Sequence, residues 1–320
     1  MIGAVPHVAG RRLARAVVGP LPVLVADALR RSLASGAASL LPQHLRRPVL
    51  RGLYAGGIPR AVSTFRLVDD PDLEFLPVDS QVLGQLYWAG EQGWEPELLP
   101  WWRHFCRRSR SVLELGANVG YFSVQGGRAA PEARFVAVEP HPFSAEICRA
   151  HLALNGVSSV EVVEAAAVPE AASSAVRLHV PADQQATPTV AFLSPDNELP
   201  PDMARDVVRV LDVPAIDLRS LLDGVDLIKL DVEGQEHALL AAAREHLRER
   251  RPPLFVEVLP GTERLRALLA DLCTTDGYRC YALSRAAPVE LTPERLRTVR
   301  LMDEFGCQDV LLCTEDLPKV

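Results

Sequence analysis

The chain has 320 residues, 48% of them hydrophobic and 23% charged, which supplies ample material for a core and argues against intrinsic disorder. A net charge of −7 and an aromatic content of 6% disfavour a dedicated nucleic-acid binder, which would show a basic field or a stacking platform. The length suits about two units of roughly 150 residues, or one large α/β domain with an extra terminal element.

The six cysteines, Cys106, Cys148, Cys273, Cys280, Cys307 and Cys313, form no C-x-x-C pair. They read as free thiols in a reducing compartment. The longest charge-free apolar run, residues 16–26, is 11 residues long. A membrane span needs about 20. Arg11, Arg12 and Arg15 precede that run, but no clean cleavage site comes after it. We therefore expect a cytoplasmic protein without an integral membrane segment.

Residues 1–66 hold ten arginines and one acid, Asp27, a net +9 that leaves −16 for the remainder. Residues 21–41 read as short helices. Pro22 suits a first turn, Gly36 interrupts, and Pro42 and Pro48 act as helix stops further along. Three readings compete for this segment: a cap on the main domain, a contact with an anionic membrane surface, or a loosely ordered tail. The apolar stretches 21–25 and 37–41 call for burial and favour a helical cap.

Residues 67–110 read as a connector and lead-in helix. Val62, Thr64, Phe65, Leu67 and Val68 are compatible with a strand ahead of Asp69-Asp70-Pro71. Tyr87-Trp88, Gly93-Trp94-Glu95-Pro96-Glu97 and Trp101-Trp102 come next, and a helix is expected over about 97–108.

From residue 111 to the C-terminus, strands and helices alternate at short spacing, as in a mainly parallel sheet with crossover helices. Strands are predicted at 111–115, 134–138, 160–163, 225–230 and 254–258. Helices are predicted at about 119–129, from Pro142 to Asn155-Gly156, at 235–250 and at 262–276. Residues 176–180, 189–192 and 207–211 look like an antiparallel excursion, broken by Pro195 and Pro200-Pro201. Residues 278–283 and 309–313 complete the sheet as a terminal antiparallel pair. The expected architecture is an α/β, Rossmann-like, seven-stranded, mostly parallel sheet with helices on both faces, plus the N-terminal helical extension.

The first strand and turn read Val112-Leu113-Glu114-Leu115-Gly116-Ala117-Asn118-Val119-Gly120-Tyr121. A Gly-rich turn here is a cofactor loop in α/β folds. A dinucleotide fingerprint needs G-x-G-x-x-G, but Asn118 and Tyr121 stand where its second and third glycines belong. A nicotinamide-dependent oxidoreductase is therefore disfavoured. Glu114 suits the sulfonium and amino groups of S-adenosylmethionine, and Gly116 and Gly120 let the turn lie against its methionine and ribose. Glu139, nineteen residues past Gly120, is placed to accept from both ribose hydroxyls. Its neighbour His141 is placed to flank the ribose or adenine.

Three stretches together closely resemble the FkbM-type methyltransferases. They are Leu115-Gly116-Ala117-Asn118-Val119-Gly120-Tyr121-Phe122-Ser123, Val138-Glu139-Pro140, and Asp226-Leu227-Ile228-Lys229-Leu230-Asp231-Val232-Glu233-Gly234-Gln235-Glu236. The run 211–222 and Gly93-Trp94-Glu95-Pro96-Glu97 also look like that family, and the resemblance covers about residues 91–315. It implies an S-adenosylmethionine-dependent enzyme that methylates a hydroxyl of a sugar, glycolipid or secondary metabolite, in short a small-molecule or glycan acceptor. An amine or carboxylate acceptor, or a non-catalytic binding protein retaining the fold, are the alternatives.

Ligands of open α/β sheets sit at the carboxyl ends of strands. Asp231 ends the fourth strand and Glu257 the fifth, so both are candidates for contact with cofactor or acceptor. An acceptor hydroxyl needs a base or a metal nearby. Glu233 is a further catalytic candidate or a helix cap, and His237 would share its helical face. Lys229, inside an apolar strand, would neutralise neighbouring acids. Asp231 and Glu257 suit an oxygen-rich Mg²⁺ site, though the sequence identifies no third ligand.

Overall fold

The computed structural model describes residues 8–35, 43–171, 173–181, 186–189, 191–193 and 207–317, without the side chains of 8–10, 43–47, 207 and 208. The chain divides into two units: Met1–Pro96 with Ala153–Asn155 and Asp183–Thr189, and Glu97–Leu152 with Gly156–Ala182 and Val190–Val320.

The first unit holds helices α1 (Val8–Val18), α2 (Val23–Ala34) and α3 (Gln43–Gly56). A short hairpin comes next, strand β1 (Phe65–Arg66) against β2 (Glu74–Phe75), then helix α4 (Gln81–Ala89). The first helix was not anticipated. The third runs through Pro48 instead of stopping there, because its packing on α1 and α4 outweighs one lost backbone bond. The expected strand at 62–68 shrinks to β1.

The inward side of α2 is set by Ala26 and Arg30, both buried. The Arg30 guanidinium lies 4.1 Å from the Tyr87 ring centroid and donates to the backbone carbonyls of Tyr87 and Arg66. The stretch 21–25 does not find the burial its composition called for, since Val23, Leu24 and Val25 stand in solvent. Gly36, the stretch 37–41 and Pro42 lie outside the described residues.

The second unit is built on one sheet. Helix α5 (Leu99–Cys106) leads into strand β3 (Ser111–Leu115), helix α6 (Tyr121–Ala129), strand β4 (Arg134–Val138), helix α7 (Pro142–Leu154) and strand β5 (Val160–Val163). Strands β6 (Ala166–Val168), β7 (Ala175–Pro181) and β8 (Val207–Asp217) form a separate three-stranded sheet in the order β6-β8-β7. Its β7–β8 pair is antiparallel, as expected, while β6 adds a parallel neighbour. Of the strand expected at 189–192, Phe192 bridges His179. Residues 190 and 194–206, with Pro195, Pro200 and Pro201, lie outside the described residues.

The main sheet resumes with β9 (Leu227–Leu230) and β10 (Leu254–Glu257), joined by helices α8 (Glu236–Ala242) and α9 (Arg244–Arg250). The single helix expected at 235–250 is thus split at Ala243. Helix α10 (Glu263–Thr275), strands β11 (Arg279–Ala282) and β12 (Val289–Leu291), helices α11 (Pro293–Thr298) and α12 (Leu301–Phe305) and strand β13 (Asp309–Cys313) complete the chain.

Among the described residues the sheet order is β12-β11-β13-β10-β9-β3-β4-β5, eight strands rather than seven. The extra strand is β12, an edge partner of β11. The central strands β10, β9, β3, β4 and β5 are parallel, and β13 runs antiparallel between β10 and β11. Asp226 clamps the near end of β3 by accepting from the Arg110 and Ser111 N–H groups.

Both sheet faces are covered. Leu113, Leu115, Val136, Val138, Ile228, Leu230, Leu254 and Val256 pack with Leu239, Leu247, Leu265 and Leu269 of α8, α9 and α10. On the other face Trp102 of α5 meets Phe122 of α6, Phe135 and Phe255 edge-on at 5.6–6.3 Å, and its Nε1 donates to the Phe122 carbonyl at 2.9 Å. Trp102→Ala empties the centre of this face. Denaturant unfolding should show a loss of about 3–5 kcal/mol.

Candidate active site

The sheet register assembles the site. Leu115 pairs with Val138 on one side and Leu230 on the other, and Leu230 pairs with Val256. The residue after each of these four therefore stands in one row at the carboxyl edge: Glu139, Gly116, Asp231 and Glu257. Asp309 of β13 joins the row opposite Glu257. Two residues back, on the same face, Glu114 pairs with Lys229. Every carboxylate the sequence marked at a strand end arrives in this region, and Asp309, which was not marked, arrives with them.

The loop after β3 is closed by its own backbone. Gly116, Asn118 and Gly120 adopt φ of 87°, 49° and 80°, a region open to glycine and tolerated by asparagine. A Cβ on Gly116 would lie 1.7 Å from the Asp231 carbonyl oxygen. The glycine is thus required by the meeting of two strand ends, a reason other than room for a ligand. Gly120 lets the start of α6 approach α7, where a Cβ would meet Cys148 Sγ at 2.6 Å.

Glu139 is buried and holds this loop. Its Oε2 accepts from the Asn118 N–H and its Oε1 from the His141 N–H, each at 2.8 Å. Burial pushes its carboxyl up to about 7 against those two bonds. His141 is buried beside Ser144, and burial lowers its pKa, so its ring is neutral at pH 7. Glu114 lies beneath the loop, accepting from the Ser123 hydroxyl at 2.6 Å. Burial raises it to about 7, and Lys229 pulls it partly back.

Lys229 Nζ donates to Asp231 Oδ2 at 2.9 Å and sits 5.0 Å from the Phe122 ring centroid. Asp231, Glu233 and Glu257 bring carboxylate oxygens within 4.8 Å of one another. Glu233 therefore supplies the third carboxylate that sequence spacing did not identify. Its Oε2 and that of Glu257 are enclosed with no hydrogen-bond partner among the described residues. Burial, then the charge of Asp231, pushes both carboxyls well above the usual range.

Glu233 neither caps a helix nor shares a helical face with His237. It precedes α8 with φ of 51°. The turn is closed instead by Glu236, whose carboxylate accepts from the Val232 and Gly234 N–H groups at 2.9 and 3.0 Å. Glu236 was visible within the motif, but only its backward reach reveals the role. Asp309 is held up at about 6, chiefly by burial. Glu97, also unmarked, is buried and paired with Arg285 at 2.8 Å.

Residues 114–280 match the profile of the methyltransferase FkbM domain. No curated protein matches the sequence. Among solved structures, the methyltransferase FkbM from Methylobacillus flagellatus KT is 17% identical, with 84% of this chain and 60% of that chain covered and a TM-score of 0.39. The O-methyltransferase TomG from Streptomyces achromogenes, in complex with S-adenosylmethionine, is 14% identical over 67% of this chain and 79% of its own, with a TM-score of 0.35. An O-methyltransferase from Bacillus cereus, in complex with S-adenosylhomocysteine, is 12% identical over 68% and 80%, with a TM-score of 0.38. The profile match spans half of this chain, and it carries the assignment: the chain belongs to the FkbM methyltransferase family and is an S-adenosylmethionine-dependent methyltransferase.

Proposed function

We propose that this methyltransferase acts on a hydroxyl of a sugar, glycolipid or secondary metabolite, and that Glu257 is the base that accepts the hydroxyl proton. The observation that carries the reading is the state of Glu257. It ends a central strand at the ligand edge, its Oε2 has no partner, and its carboxyl is raised well above the ordinary range. A carboxylate so raised holds a proton more strongly than an ordinary one, as a general base must. In this reading residues 111–320 form the catalytic domain, 67–110 its connector and lead-in helix, and 1–66 a basic extension.

The donor set fits S-adenosylmethionine. A ribose offers two hydroxyl donors and the methionine end offers cations, while the strand-end row offers acceptor carboxylates. When bound, the cofactor supplies a methyl group already activated on a sulfonium. Glu139 accepts from the ribose hydroxyls with the lone pairs left free by Asn118 and His141. Gly116, Asn118 and Gly120 present loop backbone, and neutral His141 lines the ribose or adenine side. Asp231 faces the cationic end, with Lys229 fixing its orientation from below. Glu114 acts at one remove, balancing Lys229 beneath the loop. Glu233 stands beside Glu257 and raises its basicity by repulsion.

Two measurements test these roles. Glu139→Gln keeps the shape but loses the charge, and a charge-assisted bond contributes about 1.5–3 kcal/mol. Calorimetry should show affinity for S-adenosylhomocysteine reduced about tenfold or more, and an unchanged affinity would place the ribose elsewhere. Glu257→Gln should leave that affinity intact and lower kcat by on the order of a hundredfold or more. In the unaltered enzyme kcat should rise with pH as Glu257 loses its proton, and the variant should lose that limb. Product mass spectrometry distinguishes hydroxyl methylation from the amine or carboxylate alternatives.

The three carboxylates within 4.8 Å favour one second reading, a divalent cation such as Mg²⁺ held by Asp231, Glu233 and Glu257 that lowers the acceptor's pKa. Activity abolished by a chelator and restored by Mg²⁺ would support it. Full activity in the chelator leaves Glu257 as the base.

A further inference from the structure

We propose that the outward faces of α1 and α2 dock this protein onto an anionic lipid surface. Among the described residues the three most exposed large apolar side chains are Leu24, Leu13 and Val17, at 82%, 70% and 63% exposure, and all lie on these two helices. Leu13 and Val17 are one turn apart on α1. Leu24, Ala28 and Arg31 stand at i, i+4 and i+7 on α2 and are all exposed. The opposite side of α2, Ala26 and Arg30, is buried, and the Arg30 contacts with Tyr87 and Arg66 fix which side faces out. The outward apolar face is therefore imposed by packing.

Charge selects the occupant. Residues 1–66 carry +9, and their one acid, Asp27, is answered by Arg30 at 3.0 Å. Arg12, Arg31 and Arg51 are exposed, and none is in an ion pair among the described residues. Apolar side chains flanked by arginine are the pattern of helices that lie in the plane of a membrane interface. The two helices have 11 and 12 residues, and no helix of the described residues is long and apolar enough to cross a membrane, so the contact is interfacial. A second copy would bring the same positive surface against itself.

The test uses the full-length protein and co-sedimentation with vesicles of phosphatidylcholine alone or mixed equally with phosphatidylglycerol. Partition onto the mixed vesicles should exceed that onto phosphatidylcholine by about tenfold or more and weaken as salt is raised. Leu13→Gln with Leu24→Gln should lower it about tenfold. Arg12→Gln and Arg31→Gln should each lower it roughly fivefold. Thermal midpoints equal to the unaltered protein's report that the variants fold, independently of any methyl transfer. Equal partition onto both vesicles, or binding untouched by the leucine pair, would overturn the proposal. So would a dimer seen by light scattering that Leu24→Gln dissolves in a protein that ignores vesicles.

Discussion

Parallel strands in register force their carboxyl ends into one row, and in this chain that row is acidic. Glu139, Asp231, Glu257 and Asp309 meet there, with Glu114, Glu233 and Glu236 close by, and Lys229 is the buried cation among them. Carboxylates taken out of water repel one another and resist ionisation. The fold tolerates this by letting their pKa values rise, to about 7 for Glu114, Glu139 and Glu236 and about 6 for Asp309. A site in that condition attracts cationic ligand groups and repels anionic ones. The same electrostatics suit a sulfonium.

The acids divide by what their oxygens already do. Glu139 and Glu236 accept from backbone N–H groups and shape the two loops that flank β3 and β9. Glu114 is occupied by Ser123, and Asp231 by Lys229. Glu233 and Glu257 each keep an enclosed oxygen without a partner among the described residues. An unsatisfied buried acceptor is destabilising, so these two are the places where the architecture has given up stability and where incoming chemistry has most to gain.

The alternation of strands and helices was legible because buried parallel strands read as continuous apolar runs, as in Val112-Leu113 and Leu227-Ile228. β12 was not, since its Val289-Glu290-Leu291 stands at an edge with two of three residues in solvent. The first helix was missed because, of its described large apolar side chains, only Val18 is buried while Leu13 and Val17 stand in solvent, so no core-facing stripe announced it. The site was legible as far as single strands reach: Glu139, Asp231 and Glu257 are placed by strand ends. Asp309 lies on an antiparallel strand, and its place beside Glu257 depends on a strand order that spacing cannot supply. Of the two readings of Glu233, the helix cap falls, because its left-handed backbone puts it ahead of α8. At Gly116 the structure adds a packing reason, since the Asp231 carbonyl occupies the space a side chain would need.

The choice of lysine at position 229 stems from the same constraint. The chain has 32 arginines and two lysines, so composition alone would favour arginine here. A guanidinium carries five donors in a rigid plane and needs acceptors around it. The Arg30 site supplies them, with two backbone carbonyls, Asp27 and an aromatic face. The floor of the candidate site has the Phe122 ring and Glu114 beside Lys229, with Asp231 at the edge above. A lysine stem crosses that floor and delivers a compact charge to Asp231 at 2.9 Å. Lysine places one compact positive charge against Asp231 and leaves the enclosed oxygens of Glu233 and Glu257 without a partner among the described residues.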